Sequence, residues 1–557
     1  MLLVLFSISI SILEINTTKA SGTIYIRVDG TIEGTNKIHC DGNVYTFTEN
    51  IFDSIIVEKD NIVIDGAGYT LSGYYTGIDL SNRSNVTIKN MQIANFHCGI
   101  YLDGSSNNNI FRNNLTNCWT GIEMKQASNN IISRNNIEAS RERGISIFMS
   151  SNNTISENKI ANSSFPLCFG IEFFNSSNNK IFRNTVIGNH LCGIRLSLSS
   201  NNILSENHVA NNSWGINIYS SSKNNILSAN NAVNNTCGIL IEYSSNNTLR
   251  NNSMNNNKYN FKADCGYLAN WFNDVDVSNT VDSKPIYYWI NRKNQTVPPD
   301  AGCVVLVNCT SITIQSLKLS NNGRGVTLAY TKNSKITKNN ITNSEYGILL
   351  LNSSYNTING NVIKNIELSG IMLGENSTNN DISGNRVEAS GREGIYLVGA
   401  SNNKIIRNII IKNNVGIYFS GSSNNTVYHN NFINNTKQVS DFYYVILFGS
   451  PSLNLWDNDY PSGGNYWSDY AGQDADGDGI GDMPYFIYGK NQDNYPLMKP
   501  VIISELSNGE NPVIPNAEPV PKWIIATLVI IAAFGAVFLA YFRKIKKTQS
   551  KITVPAV

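Results

Sequence analysis

A glycine followed by a β-branched residue recurs at Gly77, Gly99, Gly121, Gly144, Gly170, Gly193, Gly215 and Gly238, and again at Gly325, Gly347, Gly370, Gly394 and Gly416, mostly 22 or 23 residues apart. A fixed period of this size marks a solenoid built from one repeated supersecondary unit. Within each period lie short alternating runs such as Gly121-Ile122-Glu123-Met124 and Asn129-Asn130-Ile131-Ile132, which are strand patterns with no helical face. A unit of about 22 residues suits three short strands joined by tight turns, each coil stacking ~4.8 Å above the last through parallel backbone hydrogen bonds. The expected fold is therefore all-β, a right-handed parallel β-helix with Ile and Leu inside.

Ser-Asn-Asn recurs at Ser106-Asn107-Asn108, Ser151-Asn152-Asn153, Ser245-Asn246-Asn247, Ser401-Asn402-Asn403 and Ser423-Asn424-Asn425, where it fits the turns. Asn tolerates left-handed backbone angles, and stacked Asn amides can bond from coil to coil as a ladder. The same composition creates sequons such as Asn114-Leu115-Thr116 and Asn308-Cys309-Thr310, acceptors for N-glycosylation in an exported chain.

The ends read differently. Leu2–Leu13 is an apolar run too short to span a bilayer, and residues 1–21 are expected to be a signal peptide; no basic residue precedes the run, so an N-terminal anchor stays open. Trp523–Phe542 carries no charge, is long enough to cross ~30 Å of hydrocarbon, and is followed by Arg543, Lys544, Lys546 and Lys547. That pattern predicts one C-terminal transmembrane helix (523–542), a cytoplasmic tail (543–557), a Pro- and Asn-rich stalk (505–522) and an extracellular β-helix held at the cell membrane. Between the ends, the repeat divides the chain into a cap with first strands (22–76), coils (77–258), an insertion bulging outward where the period breaks (259–308), further coils (309–440) and a C-terminal cap (441–504). Only 15% of residues are charged and the formal net charge is +1, which leaves no broad basic surface for nucleic acid.

The segments Asn61-Ile62-Val63-Ile64-Asp65-Gly66-Ala67-Gly68, the Gly-Ile/Ser-Asn-Asn coils, Lys284-Pro285-Ile286-Tyr287-Tyr288-Trp289 and Gly463-Gly464-Asn465-Tyr466-Trp467-Ser468-Asp469-Tyr470 together resemble cell-surface β-helix proteins of the NosD-like type over roughly residues 24–500. The resemblance implies the fold and a surface location. It also implies two functional directions, since the NosD label comes from a copper-site maturation factor while similar coils occur in polysaccharide lyases, hydrolases and epimerases.

Three constellations carry candidate chemistry. Asp474-Ala475-Asp476-Gly477-Asp478-Gly479-Ile480-Gly481-Asp482 alternates carboxylates with small residues, the donor set Ca²⁺ requires; Asp474, Asp476, Asp478, the Ile480 carbonyl and Asp482, helped by Asp493, are the expected ligands of a structural ion. Second, the residue after each Gly-Ile should face solvent: Asp79, Tyr101, Glu123, Ser146, Glu172, Arg195 and Asn217 then form one track. Tyr101, Glu123, Glu172, Arg195 and Asn217 are the expected contacts of an extracellular glycan. Glu123 and Glu172, two coils and so ~10 Å apart, are candidate acids if the protein turns a polysaccharide over. Beyond Gly325 the same positions read Thr327, Leu349, Met372, Tyr396 and Tyr418, too apolar for acid–base work. Third, nine Cys with His97-Cys98 and His190-Leu191-Cys192 admit either inter-coil disulfides such as Cys168–Cys192, small buried residues, or a copper site. No P-loop, dinucleotide fingerprint or nucleophile motif is present. The leading expectation is glycan binding without turnover, ahead of a polysaccharide lyase, hydrolase or epimerase, and ahead of copper handling.

Overall fold

A computed structural model describes residues 22–163, 165–441, 452–503 and 506. The expected signal peptide, transmembrane helix and tail, and the stalk apart from Leu506, lie outside these residues. Among the described residues the helical element is one 3-10 turn at Leu268–Trp271, and no helix is long and apolar enough to cross a membrane.

Most coils lay down one six-residue strand and two three-residue strands, as in Thr120–Lys125, Ile131–Ser133 and Asn136–Glu138. Equivalent strands of successive coils pair in parallel, giving a right-handed solenoid with one long-strand face and two narrower ones. Register follows the repeat: Ile100, Ile122, Ile145, Ile171, Ile194, Ile216, Ile239 and Phe261 stand opposite one another coil by coil, all at most 1% exposed. A one-residue slip would turn this whole column to solvent. The repeat glycine has a steric cause. A Cβ on Gly193 would stand 2.3 Å from Val209 Cγ1 and 2.7 Å from the Gly215 carbonyl of the next coil. Only glycine allows the strand to lie that close to both neighbours.

Where a turn carries two Asn residues, they divide the work. The first takes the left-handed conformation, with φ of 56° at Asn107, 58° at Asn152 and 60° at Asn402. The second is buried and forms the ladder: starting from Asn108, the residues Asn130, Asn153, Asn179, Asn202, Asn225, Asn247 and Asn273 each offer their amide oxygen to the preceding member. A parallel ladder runs from Asn113 to Asn279, and another from Asn339 through Asn361, Asn385, Asn408 and Asn430 to Asn465. Asn465 in turn donates its backbone N–H to the buried Asp493 carboxylate at 2.7 Å.

The period does break after Tyr259, but residues 259–308 do not simply bulge outward. Lys284–Ile290, Cys303–Val307 and Arg324–Ala329 form a parallel sheet buried on both faces. Because strand side chains alternate, Cys303, Val305 and Val307 close the core of the first stack of coils, whereas Val304 and Leu306 open the core of the second. The sheet is a shared wall between two hydrophobic cores. The first stack begins with two antiparallel pairings, Ile24–Ile26 with Ile32–Glu33 and Ile38–Asp41 with Val44–Phe47, that bury Tyr45 and Phe47. The second stack is closed by Trp456 and Trp467; Trp467 is stacked between Phe432 at 4.4 Å and Tyr485 at 4.3 Å.

Candidate functional site

The parallel register places Asp79, Tyr101, Glu123, Ser146, Glu172, Arg195 and Asn217 side by side along the outer surface of the long-strand face, continuing into Leu240 and Lys262. A groove of about 480 Å³ follows the first part of this track, lined by Tyr101, Glu123, Lys125, Arg143, Ser146, Phe148, Glu172 and Phe174 among others.

Its floor is charged and structured. Glu172 accepts a 2.5 Å hydrogen bond from Arg143 Nε and lies 3.7 Å from Arg195 Nη1. The Arg195 guanidinium is held between the rings of Phe169 (5.2 Å) and Tyr219 (4.7 Å), a cation–π sandwich that fixes its direction. Arg143 also pairs with Glu142. Burial works against its charge, but the bond and field of Glu172 and the field of Glu142 more than offset that, raising its pKa. Glu123 differs. Its carboxylate makes no ion pair or hydrogen bond with the described residues, and burial pushes it above the usual range despite the nearby positive charge of Arg143. The Tyr101 hydroxyl, raised by burial, donates to Asp103 at 3.1 Å.

One rim is aromatic: Phe148 and Phe174 line it and stack at 5.3 Å. Apart from the groove's lining, His97 stacks on Trp119 at 5.4 Å, with Phe165 6.5 Å from the indole and Arg141 over it. A groove with an aromatic rim and a polar floor matches a ligand whose rings carry apolar C–H faces and hydroxyl edges.

The expected contacts Tyr101, Glu123, Glu172 and Arg195 come together here; Asn217 does not join them. It is fully buried, its amide donating to Glu242 at 2.8 Å because the longer side chain of the next coil folds over it. Arg143, Phe148 and Phe174 were not anticipated. Phe148 and Phe174 occupy the outward positions two residues after the track, where the period-two pattern carries the signal, whereas Arg143 stands three residues before it, across Gly144. Beyond the junction, Thr327 and Leu349 are buried, while Met372, Tyr396 and Tyr418 remain partly exposed.

In the C-terminal cap, carboxylate oxygens of Asp474, Asp476 and Asp478 lie within 4.8 Å of one another. The Asp474 carboxylate is oriented by the N–H groups of Gly477, Asp478 and Gly479. Asp482 instead turns to the N–H of Ala475 at 2.9 Å. Asp493 is not a partner of this loop: it is fully buried, accepting from Asn465, Trp467 and Tyr495, and burial raises its carboxyl to about 6.

All nine cysteines are free thiols, eight of them buried, so the Cys168–Cys192 pairing is not formed. Cys168 donates to the Arg141 carbonyl at 2.6 Å, and Cys98 and Cys192 each to the carbonyl two residues on. Among the described residues, no group of three His, Cys, Asp or Glu side chains converges except the aspartates of the cap, and an all-oxygen set is a poor match for copper.

No curated protein matches the chain. Similar solved structures include a mutant of the periplasmic alginate epimerase AlgG (13% identity, covering 77% of this chain and 83% of that one, TM-score 0.21). They also include a mutant tailspike protein of E. coli bacteriophage HK620 in complex with a hexasaccharide (12%, 71% and 70%, 0.31) and the A-module of the Azotobacter vinelandii mannuronan C-5 epimerase AlgE4 (12%, 72% and 91%, 0.22). Two family models match: a right-handed β-helix region over residues 141–254, and the periplasmic copper-binding protein NosD over residues 15–191 and 273–472. The described residues offer no soft-donor cluster for the copper in that description, but the match covers most of the 557 residues, both stacks and the wall between them, and the chain belongs to the NosD family of β-helix repeat proteins.

Proposed function

We propose that this protein is anchored at the cell surface and holds extracellular polysaccharide along the long-strand face without turning it over. The observation that carries the reading is the in-register track Tyr101–Glu123–Ser146–Glu172–Arg195, whose first four members line a groove edged by the Phe148–Phe174 stack. Sugar hydroxyls bond well to carboxylates and guanidinium groups already held in place, because little ordering remains to be done on binding. Glu123 supplies a carboxyl whose hydrogen-bonding capacity no described residue uses. Surface anchoring rests on Trp523–Phe542 and the basic residues that follow it. A structural Ca²⁺ in the cap rests on the convergent Asp474, Asp476 and Asp478.

The test is affinity electrophoresis and titration of the full-length protein against xylan, mannan, alginate and polygalacturonate. At least one polymer should bind. Arg143→Ala with Glu172→Ala, which removes that ion pair together and leaves Arg195 held by the Phe169 and Tyr219 rings, should weaken that binding by about tenfold, ~1.4 kcal/mol. Failure of every polymer to bind, or unchanged binding by the double variant, would reject the reading. A second reading, a lyase, hydrolase or epimerase, is favoured by one observation: the two carboxyls of the groove sit in opposite environments, Glu123 raised by burial and Glu172 ion-paired to Arg143, the asymmetry acid–base pairs require. Mass spectrometry of the same incubations decides between them. New or epimerised products that vanish in Glu123→Gln would make the protein an enzyme.

A further inference from the structure

The outward track of the first stack reaches Lys262, where the wall between the two cores interrupts the solenoid. On one edge of the long-strand face, however, the backbone ladder is unbroken. Asn260 N–H donates to the Asn321 carbonyl at 2.6 Å and Gly323 N–H to the Phe261 carbonyl at 3.1 Å, so the strand Tyr259–Asp264 is followed directly by the segment that opens Arg324–Ala329. Side chains span the same seam. Lys262 pairs with Glu345 at 2.7 Å, and the buried Arg324 donates to the Ala263 carbonyl at 2.9 Å, pairs with Asp264 at 3.0 Å and lies 5.5 Å over the Tyr346 ring.

The surface leading to and from the seam changes character. Before it, Cys237, Leu240 and Tyr259 form a small apolar cluster on the outside of the coils, with Trp214 packed against it. After it, Leu349, Met372, Tyr396 and Tyr418 stand opposite one another coil by coil, and the Tyr396 and Tyr418 rings meet edge to face at 5.2 Å. Two rings on adjacent coils, continuing an apolar column from Met372, suit the C–H faces of successive sugars in an extended chain rather than a single charged head.

We infer that the glycan track crosses the junction from Lys262 to Tyr346, Met372, Tyr396 and Tyr418, so that the ligand is a long extended polysaccharide bound simultaneously by a polar half and an aromatic half. The inference rests on the glycan reading above and adds the length and extended shape of the ligand. With coils ~4.8 Å apart, the distance from Glu123 to Tyr396 is roughly 50 Å along the track, beyond the reach of a short oligosaccharide. The two halves then act as linked sites whose joint affinity exceeds either alone.

The experiment uses the full-length protein and size-fractionated fragments of xylan, mannan and alginate, of about 4 and about 12 sugars, lengths chosen so that only the longer reaches both halves. The longer fragment of a bound polymer should bind at least tenfold more tightly. Tyr396→Ala with Tyr418→Ala should remove most of that advantage and leave the short fragment's affinity unchanged. Met372→Glu, a single change at a partly exposed side chain, should do the same while leaving the thermal midpoint in place. Equal affinity for both lengths, or long-fragment affinity unchanged in both variants, would overturn the inference while the glycan reading stands. Absence of binding at every length would overturn both.

Discussion

Asn201 and Asn202 are identical neighbours in one turn with different physical roles, and replacing each by Ala separates them. Asn202 is fully buried. Its amide nitrogen donates to the carbonyls of Ser176 (3.0 Å) and Ser200 (3.1 Å) and to the Asn225 side-chain oxygen (3.1 Å), while its own oxygen accepts from the backbone and side-chain nitrogens of Asn179 at 2.9 and 3.1 Å. Ala at this position strands the Asn179 N–H and the Ser176 carbonyl away from water, at about 1 to 3 kcal/mol each. Admission of one water to the vacated space recovers part of that, so the expected loss is about 3 kcal/mol. Asn201 is exposed with φ of 57°, and Ala there costs only the left-handed strain, about 1 kcal/mol. The ladder also predicts coupling. Asn225→Ala removes a partner shared with Asn202→Ala, so the double variant should lose at least about 1 kcal/mol less than the sum of the singles. Urea unfolding followed by tryptophan fluorescence measures all four proteins. Equal costs at positions 201 and 202, or strict additivity in the double variant, would refute the claim that the amides act as one connected network.

Gly193→Ala should destabilise by about 3 kcal/mol, since its Cβ would be driven into Val209 and the Gly215 carbonyl; a thermal melt within a degree of wild type would show that the coils can shift apart. The Asp493 carboxyl, raised by burial to about 6, is more easily protonated folded than unfolded, so this group contributes stability that grows as pH falls from 7 through 6 toward 4 and is absent at pH 7. The difference is about 3 kcal/mol across that window, and Asp493→Asn should flatten the corresponding slope of midpoint against pH; parallel slopes would refute the assignment. If the aspartates of the cap hold Ca²⁺, chelator should lower the thermal midpoint of wild type by several degrees and leave Asp476→Asn with Asp478→Asn unaffected, read by calorimetry with and without added calcium.

What could be read from the chain in advance follows from which signals are periodic. The coil, its register and the outward track come directly from the glycine spacing and the alternation of strand residues, and the Asn turns from the amide's tolerance of left-handed angles. The burial of Asn217 was not legible, because it depends on the rotamer of Glu242 one coil away. The Phe148–Phe174 stack was present in the same alternation but lies off the central column, and Arg143 is out of phase with it, because Gly144 and Ile145 are both buried. The wall between the cores carried a signal of another kind: Cys303-Val304-Val305-Leu306-Val307 is continuously apolar, the mark of a strand covered on both faces, where a one-sided coil would alternate. The local pairing of Asp482 with Ala475 and the diversion of Asp493 into the end of the Asn ladder depend on contacts between segments that no spacing in the sequence encodes.

The shared wall also governs how such a chain can change in length over time. A coil inside either stack touches only the coils above and below, so duplicating or deleting one whole period leaves a new pair of matching surfaces and the ladders simply gain or lose a rung. The wall has no such freedom. Cys303, Val305 and Val307 must fit one core while Val304 and Leu306 fit the other, and a shift of one residue would exchange the two sets. Relatives should therefore vary in the number of coils on either side of residues 284–329 and keep that segment at constant length, which makes the wall a fixed reference from which the reach of each half can be lengthened or shortened independently.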